Sequence, residues 1–157
     1  LTPGELAIGF IAGSVTRGVI VGTLVGLAMY LFTGLTVVNP WIVIFHGVSA
    51  SVMLSLLGLV TAIWAEKFDN IASITNFVIT PLSFMSGTFY SIDRLPGFWR
   101  DLAEFNPFFY MIDGFRSGFI GISDAPILTG IIVITSLNAL LWAVCYEMFR
   151  RGYKLKS

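Results

Sequence analysis

Four long apolar stretches, separated by short polar segments, dominate the chain. They cover residues 17–38, 41–65, 71–89 and 126–149. Each is close to the roughly 20 residues that an α-helix needs to cross the hydrocarbon of a bilayer. The pattern therefore predicts an all-α integral membrane protein with four transmembrane helices.

The segment before the first stretch has the pattern of a short helix. Thr2 is a favourable N-cap residue, Pro3 suits the first helical position, and Glu5 is an acid in the first turn. Residues 2–14 are too few to cross a bilayer, so this segment is interpreted as a separate helix at the membrane interface, ending before Arg17.

A longer interruption, residues 90–121, separates the last two apolar stretches. Pro81, inside the third stretch, is expected to kink or end the regular helix. Residues 94–104 predict a short interfacial helix, and residues 108–120 are apolar but too short to span. Irregular backbone at membrane depth is tolerated only where protein or a water-filled cavity covers it. We therefore expect function in this region and predict a re-entrant or surface-lying helix over residues 108–120.

The composition supports a membrane location. The 157 residues are 56% hydrophobic and only 11% charged, and their mean hydropathy is +0.87. A soluble domain has about 25% charged residues. The net charge is zero, so the sequence predicts no basic face for nucleic acid.

The basic residues predict an orientation. With four crossings, one side holds six of them and the other holds three: Arg17, Lys67, Arg150, Arg151, Lys154 and Lys156 against Arg94, Arg100 and Arg116. The side richer in lysine and arginine is cytoplasmic by the positive-inside rule. Both ends of the chain are therefore expected in the cytoplasm, and residues 90–121 outside.

The sequence lacks the motifs and residue clusters of common catalytic sites. No glycine-rich run ends in Gly-Lys-Ser or Gly-Lys-Thr, so ATP binding by a phosphate-binding loop is not expected. One histidine, His46, and one cysteine, Cys145, cannot build a metal site or support a nucleophilic triad. His46 is interpreted as a polar residue near the membrane interface. We therefore predict no catalytic site, no metal site and no cofactor in this chain.

Two small groups of residues have both a structural and a functional interpretation. Gly18, Gly22 and Gly26 share one helix face, where small residues permit close packing within the chain or between subunits; packing within the chain is favoured. Asp113 and Arg116 lie one helical turn apart and are expected to pair. The pair either neutralises a partly buried helix or serves as a gate or substrate contact.

An ordered set of motifs resembles a known family, the ABC-2-type transporter permeases, which are the membrane subunits of type V ABC exporters. The matching elements are Asn76, the run Pro81-Leu82-Ser83-Phe84-Met85-Ser86-Gly87-Thr88-Phe89-Tyr90, Leu95-Pro96, Asn106-Pro107-Phe108-Phe109-Tyr110 and Asp113-Gly114-Phe115-Arg116. The chain looks closest to the branch with the nodulation-factor, capsule and O-antigen exporters. It departs from the family pattern at Ser91, where a proline is common.

The resemblance implies an architecture and a set of site residues. Such permeases have six spans, so this chain would be the C-terminal part of one transmembrane domain and hold the last four. A cytoplasmic coupling helix would dock on the ATPase through Thr2, Pro3, Glu5 and Leu6. Paired re-entrant helices would form an outer gate, with these residues: Pro81, Gly87, Phe89, Tyr90, Pro96, Asn106, Pro107, Tyr110, Asp113 and Arg116.

The resemblance also implies partners and a location. Two ATP-binding subunits would bind ATP and magnesium, and a second permease copy and membrane lipids would complete the exporter in a bacterial inner membrane. The resemblance does not name the cargo, which stays open among a lipid-linked glycan, a lipid, a drug and a peptide. Two alternatives stay open: a structural or regulatory membrane subunit, and an ion-coupled secondary transporter. The latter is disfavoured because residues 17–38, 46–65 and 71–89 hold no acidic residue at mid-depth.

Overall fold

The chain folds into seven α-helices within the residues that the computed structural model describes, which are 2–65, 68–87, 94 and 96–151. No strand occurs in that part of the chain, so the all-α prediction is confirmed. A π-helical segment, Thr75–Ile79, joins α3 to α4. The helices are α1 (Pro3–Thr33), α2 (Pro40–Trp64), α3 (Phe68–Ile74), α4 (Thr80–Phe84), α5 (Gly97–Glu104), α6 (Pro107–Ile120) and α7 (Ile127–Arg150).

Three of the described helices are long and apolar enough to cross a membrane, namely Gly4–Thr33 within α1, then α2 and α7. The third predicted span, residues 71–89, is not one regular α-helix in its described part. Its helix changes to π-helical hydrogen bonding at Thr75 and ends at Phe84, three residues after Pro81. Residues 88–89 lie outside the described part of the chain. Proline removes a backbone donor, which agrees with the interruption expected at Pro81.

The predicted interfacial helix and the first predicted span form one continuous helix, α1, so the predicted break before Arg17 is wrong. The helix starts with a capping box, in which Glu5 N donates to Thr2 Oγ1 at 3.3 Å and Thr2 N donates to a Glu5 carboxylate oxygen at 2.8 Å. No proline follows to stop it. It ends at Gly34, whose φ of 64° is left-handed and favours glycine. The predicted end at residue 38 is therefore five residues too late.

α2 is the central helix of the bundle and packs against α1, α6 and α7. One buried cluster joins Ala7 of α1 to Leu56 of α2 and to Cys145 and Phe149 of α7. A second cluster joins α2, α6 and α7 through Met53, Phe108, Met111 and Ile134. The short helix α6 therefore packs in the bundle beside α2 and α7, and α5 contacts the bundle through α6.

Candidate functional site

The region between α4 and α7 contains the two short helices expected from the sequence. α5 is mostly exposed and buries only Ala103, whereas α6 buries a face rich in small and aromatic residues. α6 packs against both α2 and α7. The structure therefore anchors α6 in the bundle and leaves α5 on its surface.

Asn106 ties the start of α6 to the end of α4. Its side chain is 4% exposed, and its Oδ1 accepts a hydrogen bond from Phe108 N at 3.0 Å. Its Nδ2 donates to the Leu82 carbonyl oxygen at 2.6 Å. Carbonyls in the last turn of a helix lack partners inside that helix. One side chain thus caps α6 and satisfies a carbonyl of α4.

His46 of α2 lies fully buried against Gly114 of α6. A Cβ atom built on Gly114 would overlap the His46 ring, so only glycine fits here without a shift. His46 Nδ1 is 3.0 Å from the Ile42 carbonyl oxygen, within reach for donation, and Nε2 has no partner in the described residues. The sequence predicts a polar residue near the membrane interface, and the structure adds that the His46 ring is packed between α2 and α6.

A second glycine continues this contact one turn further along α6. A Cβ atom on Gly118 would lie 2.5 Å from Val43 Cγ2 and 3.0 Å from Val43 N. Asn39 N donates to the Gly118 carbonyl oxygen at 2.9 Å. Gly114 and Gly118 therefore let α6 approach the first half of α2 closely, as small residues four apart permit. Neither glycine was singled out for packing from the sequence.

The predicted pair of Asp113 and Arg116 is present. Arg116 Nη2 donates to Asp113 at 2.9 Å and to Asp124 at 2.8 Å. Asp113 is 3% exposed. It accepts three more hydrogen bonds from the segment between α6 and α7, from Ser123 Oγ at 2.6 Å, Asp124 N at 3.0 Å and Ala125 N at 3.2 Å. Its oxygens are thus occupied by groups of this chain.

Arg116 keeps its charge in this network. α6 lies outside the three candidate spans, and Arg116 is partly buried. Burial disfavours the charged guanidinium, but hydrogen bonds and charge attraction from Asp124 and Asp113 outweigh burial. The pKa of Arg116 is therefore raised above its ordinary value. The network joins a carboxylate, a cation and a loop into one unit.

The other predicted gate residues lie around these anchors. Gly87 is buried after α4 with a φ of 78°, Pro81 is in the first turn of α4, and Pro107 is in the first turn of α6. Pro96 immediately precedes α5. Tyr110 is half-buried, with its ring 5.0 Å from that of Phe109. Phe89 and Tyr90 fall outside the described residues.

The predicted coupling residues lie at the start of α1, at the other end of the bundle. Thr2 and Glu5 are exposed and form the capping box, and Leu6 is half-buried. Pro3 is the first residue of α1. A Cβ atom on Gly4 would lie 4.0 Å from Tyr146 near the end of α7. Thr2, Pro3, Glu5 and Leu6 are thus next to the C-terminal end of α7, while the α6–α7 loop is at its start.

Gly18, Gly22 and Gly26, which share one face of α1, occupy two kinds of position. A Cβ atom on Gly18 would overlap Ser51 Oγ and lie 3.2 Å from Ser51 Cβ on α2. A Cβ atom on Gly22 or Gly26 would have nothing within 4 Å among the described residues. All three glycines line an apolar groove of about 520 Å³ between α1, α2 and α6. Gly18 alone of the three is closely packed on α2.

The described residues contain no group of three or more His, Cys, Asp or Glu side chains that could hold a metal ion. The contacts that the structure shows around α6 are close packing, helix capping and ion pairing.

Comparisons with known proteins are consistent with this architecture. The family described as ABC-2 type transporter matches residues 1–120. The chain is 40% identical over 150 residues to "Inner membrane transport permease YadH" of Escherichia coli K12, covering 95% of this chain and 58% of that protein. It is 26% identical over 155 residues to "Nodulation protein J" of Rhizobium leguminosarum bv. viciae, covering 96% and 58%. The chain thus spans less than two thirds of these relatives. No solved structure matches it.

Proposed function

Because the chain belongs to the ABC-2 type transporter family, we propose that it forms part of the permease of an ATP-driven exporter. The observation that carries this proposal is the family match over residues 1–120, supported by 40% identity to an inner membrane transport permease. A separate ATP-binding subunit, in two copies, binds ATP and magnesium, and a second permease copy completes the path. The substrate classes we propose to test are glycans, lipids and drugs.

The start of α1 is the proposed contact with the ATP-binding subunit. Thr2 and Glu5 are exposed and Leu6 is half-buried, at the end of the bundle where Arg150 and Arg151 also lie. This end faces the cytoplasm in the proposed orientation, in a bacterial inner membrane. The capping box fixes the first turn of α1, so a force applied to it acts on the whole helix.

The helices α5 and α6 are the proposed outer gate. Asn106 ties α6 to α4, and the network around Asp113 ties it to the loop before α7. Because Asp113 is buried and its oxygens are occupied, we assign Asp113 and Arg116 to holding the gate together. In this proposal, side chains other than those of Asp113 and Arg116 contact the substrate.

The test is reconstitution of the full-length permease with its ATP-binding subunit in proteoliposomes. We expect the two proteins to co-purify and to move substrate only when ATP is hydrolysed. Failure of any ATP-binding subunit to co-purify would overturn the proposal. A complex that hydrolyses ATP normally but moves no glycan, lipid or drug would favour a structural or regulatory subunit.

A further inference from the structure

Arg17 is an exposed cation in the middle of an apolar helix. It lies 14 residues after Pro3 and 16 before Thr33 in α1. The ion pairs of the described residues do not include it, and no hydrogen bond of its side chain is found there. The position of this charge relative to the bilayer therefore decides what it can contact.

The contact between Gly18 and Ser51 gives a first measure of depth. It places Arg17 level with the twelfth residue of the 25-residue helix α2. From Ser51 to Trp64 is 64 − 51 = 13 residues, or about 20 Å of helix. Trp64 lines the same cleft as Glu147 and Arg151, the charged residues that mark that end of the bundle.

The start of α1 gives a second, independent measure. Gly4 approaches Tyr146, one residue before Glu147. From Gly4 to Arg17 is 17 − 4 = 13 residues, again about 20 Å. Half the hydrocarbon thickness is about 15 Å. Both measures put Arg17 close to the bilayer centre and not on the cytoplasmic side, where the count of basic residues places it. There its side chain is far from either helix end and cannot snorkel to water.

A charge at this depth requires water or a charged partner. An unpaired arginine at the centre of a membrane helix costs about 2.5–3.5 kcal/mol on insertion scales. A second copy of this chain offers no free carboxylate at this depth. The apolar stretches 17–38, 41–65 and 71–89 contain no acidic residue, and Glu147 of the fourth stretch lies at the end of α7, where it pairs with Arg150 and Arg151. Asp113 is buried and occupied by donors of its own chain. Pairing with a second copy is therefore disfavoured.

The surroundings of Arg17 on α1 favour water. One turn before it are Gly13, which has nothing within 4 Å of a built Cβ atom, and Ser14, which is exposed. Small and hydroxyl-bearing residues leave room for water beside the guanidinium. We propose that Arg17 lines the water-filled translocation path and supplies positive charge there for carboxylate, sulfate or phosphate groups of the transported molecule. This inference rests on the proposed permease function.

The first test measures water access at position 17. It uses the full-length permease with its ATP-binding subunit in proteoliposomes, with native cysteines replaced. Arg17→Cys is compared with Leu140→Cys, which is 61% exposed on α7 and lies at similar depth because Asn138 Nδ2 donates to Ser49 O at 3.1 Å. We expect a charged methanethiosulfonate reagent to label position 17 at least tenfold faster than position 140. Equal, slow labelling at both positions would overturn the proposal.

The second test measures the charge in the path. In the Ser14→Cys variant, the rate of labelling by an anionic reagent (sulfonatoethyl methanethiosulfonate) is compared with the rate of labelling by a cationic one (trimethylammonioethyl methanethiosulfonate). A unit charge about 6 Å away in water changes each rate by about threefold, in opposite directions. Arg17→Gln should therefore lower the anionic-to-cationic rate ratio about tenfold, and Arg17→Lys should preserve it. An unchanged ratio in Arg17→Gln would mean that a carboxylate elsewhere neutralises Arg17, which contradicts the proposal.

The two tests separate this inference from the proposed function. Labelling needs no ATP hydrolysis, so fast labelling at position 17 in a complex that does not transport would count against the permease function and leave only the water access of Arg17 standing. A complex that transports normally but shields position 17 from water counts against the role of Arg17 alone.

Discussion

His46 and Gly114 fit together because glycine leaves the space that an imidazole ring fills. The ring is fully buried, and its Nε2 has no partner among the described residues. The contact therefore rests on shape more than on hydrogen bonding. Shape contacts of this kind tolerate little change in volume, since membrane helices gain much of their association energy from close packing.

Gly114→Ala should destabilise the full-length protein by about 1–3 kcal/mol, the usual range for overpacking. The added methyl group would overlap His46, so α6 must move away from α2. The thermal unfolding midpoint of the purified protein in detergent measures the effect. Gly22→Ala is the matched control and should leave the midpoint nearly unchanged, because a Cβ atom there meets nothing within 4 Å.

A double-mutant cycle tests whether His46 is the cause. In a His46→Ala background the extra methyl group of Gly114→Ala has room, so its effect should fall to a few tenths of a kcal/mol. The same loss in both backgrounds would mean that a different neighbour of Gly114 is responsible.

Asp113→Asn keeps the size of the side chain and removes its charge. We expect a loss of about 3 kcal/mol, the low end for a broken buried ion pair, because Arg116 is 29% exposed and keeps Asp124. Proteolysis in the loop of residues 121–125 should accelerate accordingly. Ser123→Ala removes one neutral donor and should cost only about 1 kcal/mol. Similar proteolysis rates for both variants would contradict a network centred on the carboxylate.

At the scale of elements, residues within each segment determine where a helix begins and ends. Contacts between residues far apart in the sequence determine how the helices pack. Thr2, Pro3 and Glu5 predict the start of α1 correctly, and Pro81 marks the interruption in the third apolar stretch. The break expected before Arg17 is absent, because no proline or other helix-stopping residue occurs there. Capping residues and prolines therefore predict helix ends better than segment length and charge do.

The contacts that hold α6 were beyond prediction for a physical reason. Asn106 and Leu82 are 24 residues apart in the sequence, and His46 and Gly114 lie on helices separated by four other segments. No periodicity links such positions. Only the spacing of Asp113 and Arg116, one turn apart, allowed a contact in this region to be predicted.

Substitutions of Asn106 separate its two roles. Asn106→Ser retains an N-cap hydroxyl but is too short to reach Leu82, whereas Asn106→Ala removes both contacts. We expect losses of about 1 and 2 kcal/mol. Amide hydrogen exchange should stay slow at Phe108 in Asn106→Ser and accelerate in Asn106→Ala, with faster exchange at the end of α4 in both. Identical exchange at Phe108 in the two variants would contradict a capping role.

At the scale of the whole molecule, the proposed sites occupy opposite ends of one bundle. The start of α1 meets the end of α7, and the Asp113 network holds the start of α7. α2 packs against all three of α1, α6 and α7. α2 therefore contacts helices that belong to both proposed sites.

The role of the start of α1 can be tested without disturbing its fold. Glu5→Gln removes a charge but keeps a side chain that can complete the capping box, whereas Glu5→Ala loses both. If the charge contacts the ATP-binding subunit, Glu5→Gln should weaken co-purification by up to about fivefold, the effect of an exposed ion pair. Its thermal midpoint should match that of the unmodified protein, and that of Glu5→Ala should fall. Weakened binding in Glu5→Ala alone would assign the effect to the helix cap.

The contact between Gly18 and Ser51 has a mechanical consequence for α1. Pro3 lies 15 residues before Gly18 and Thr33 lies 15 residues after it, so this crossing point divides the helix into two arms of about 22 Å each. A straight helix that turns about such a fulcrum moves its two tips by equal distances in opposite directions. If α1 turned as a rigid body about this contact, a sideways displacement of a few ångströms at Thr2 would produce a displacement of similar size in the opposite direction at Gly34.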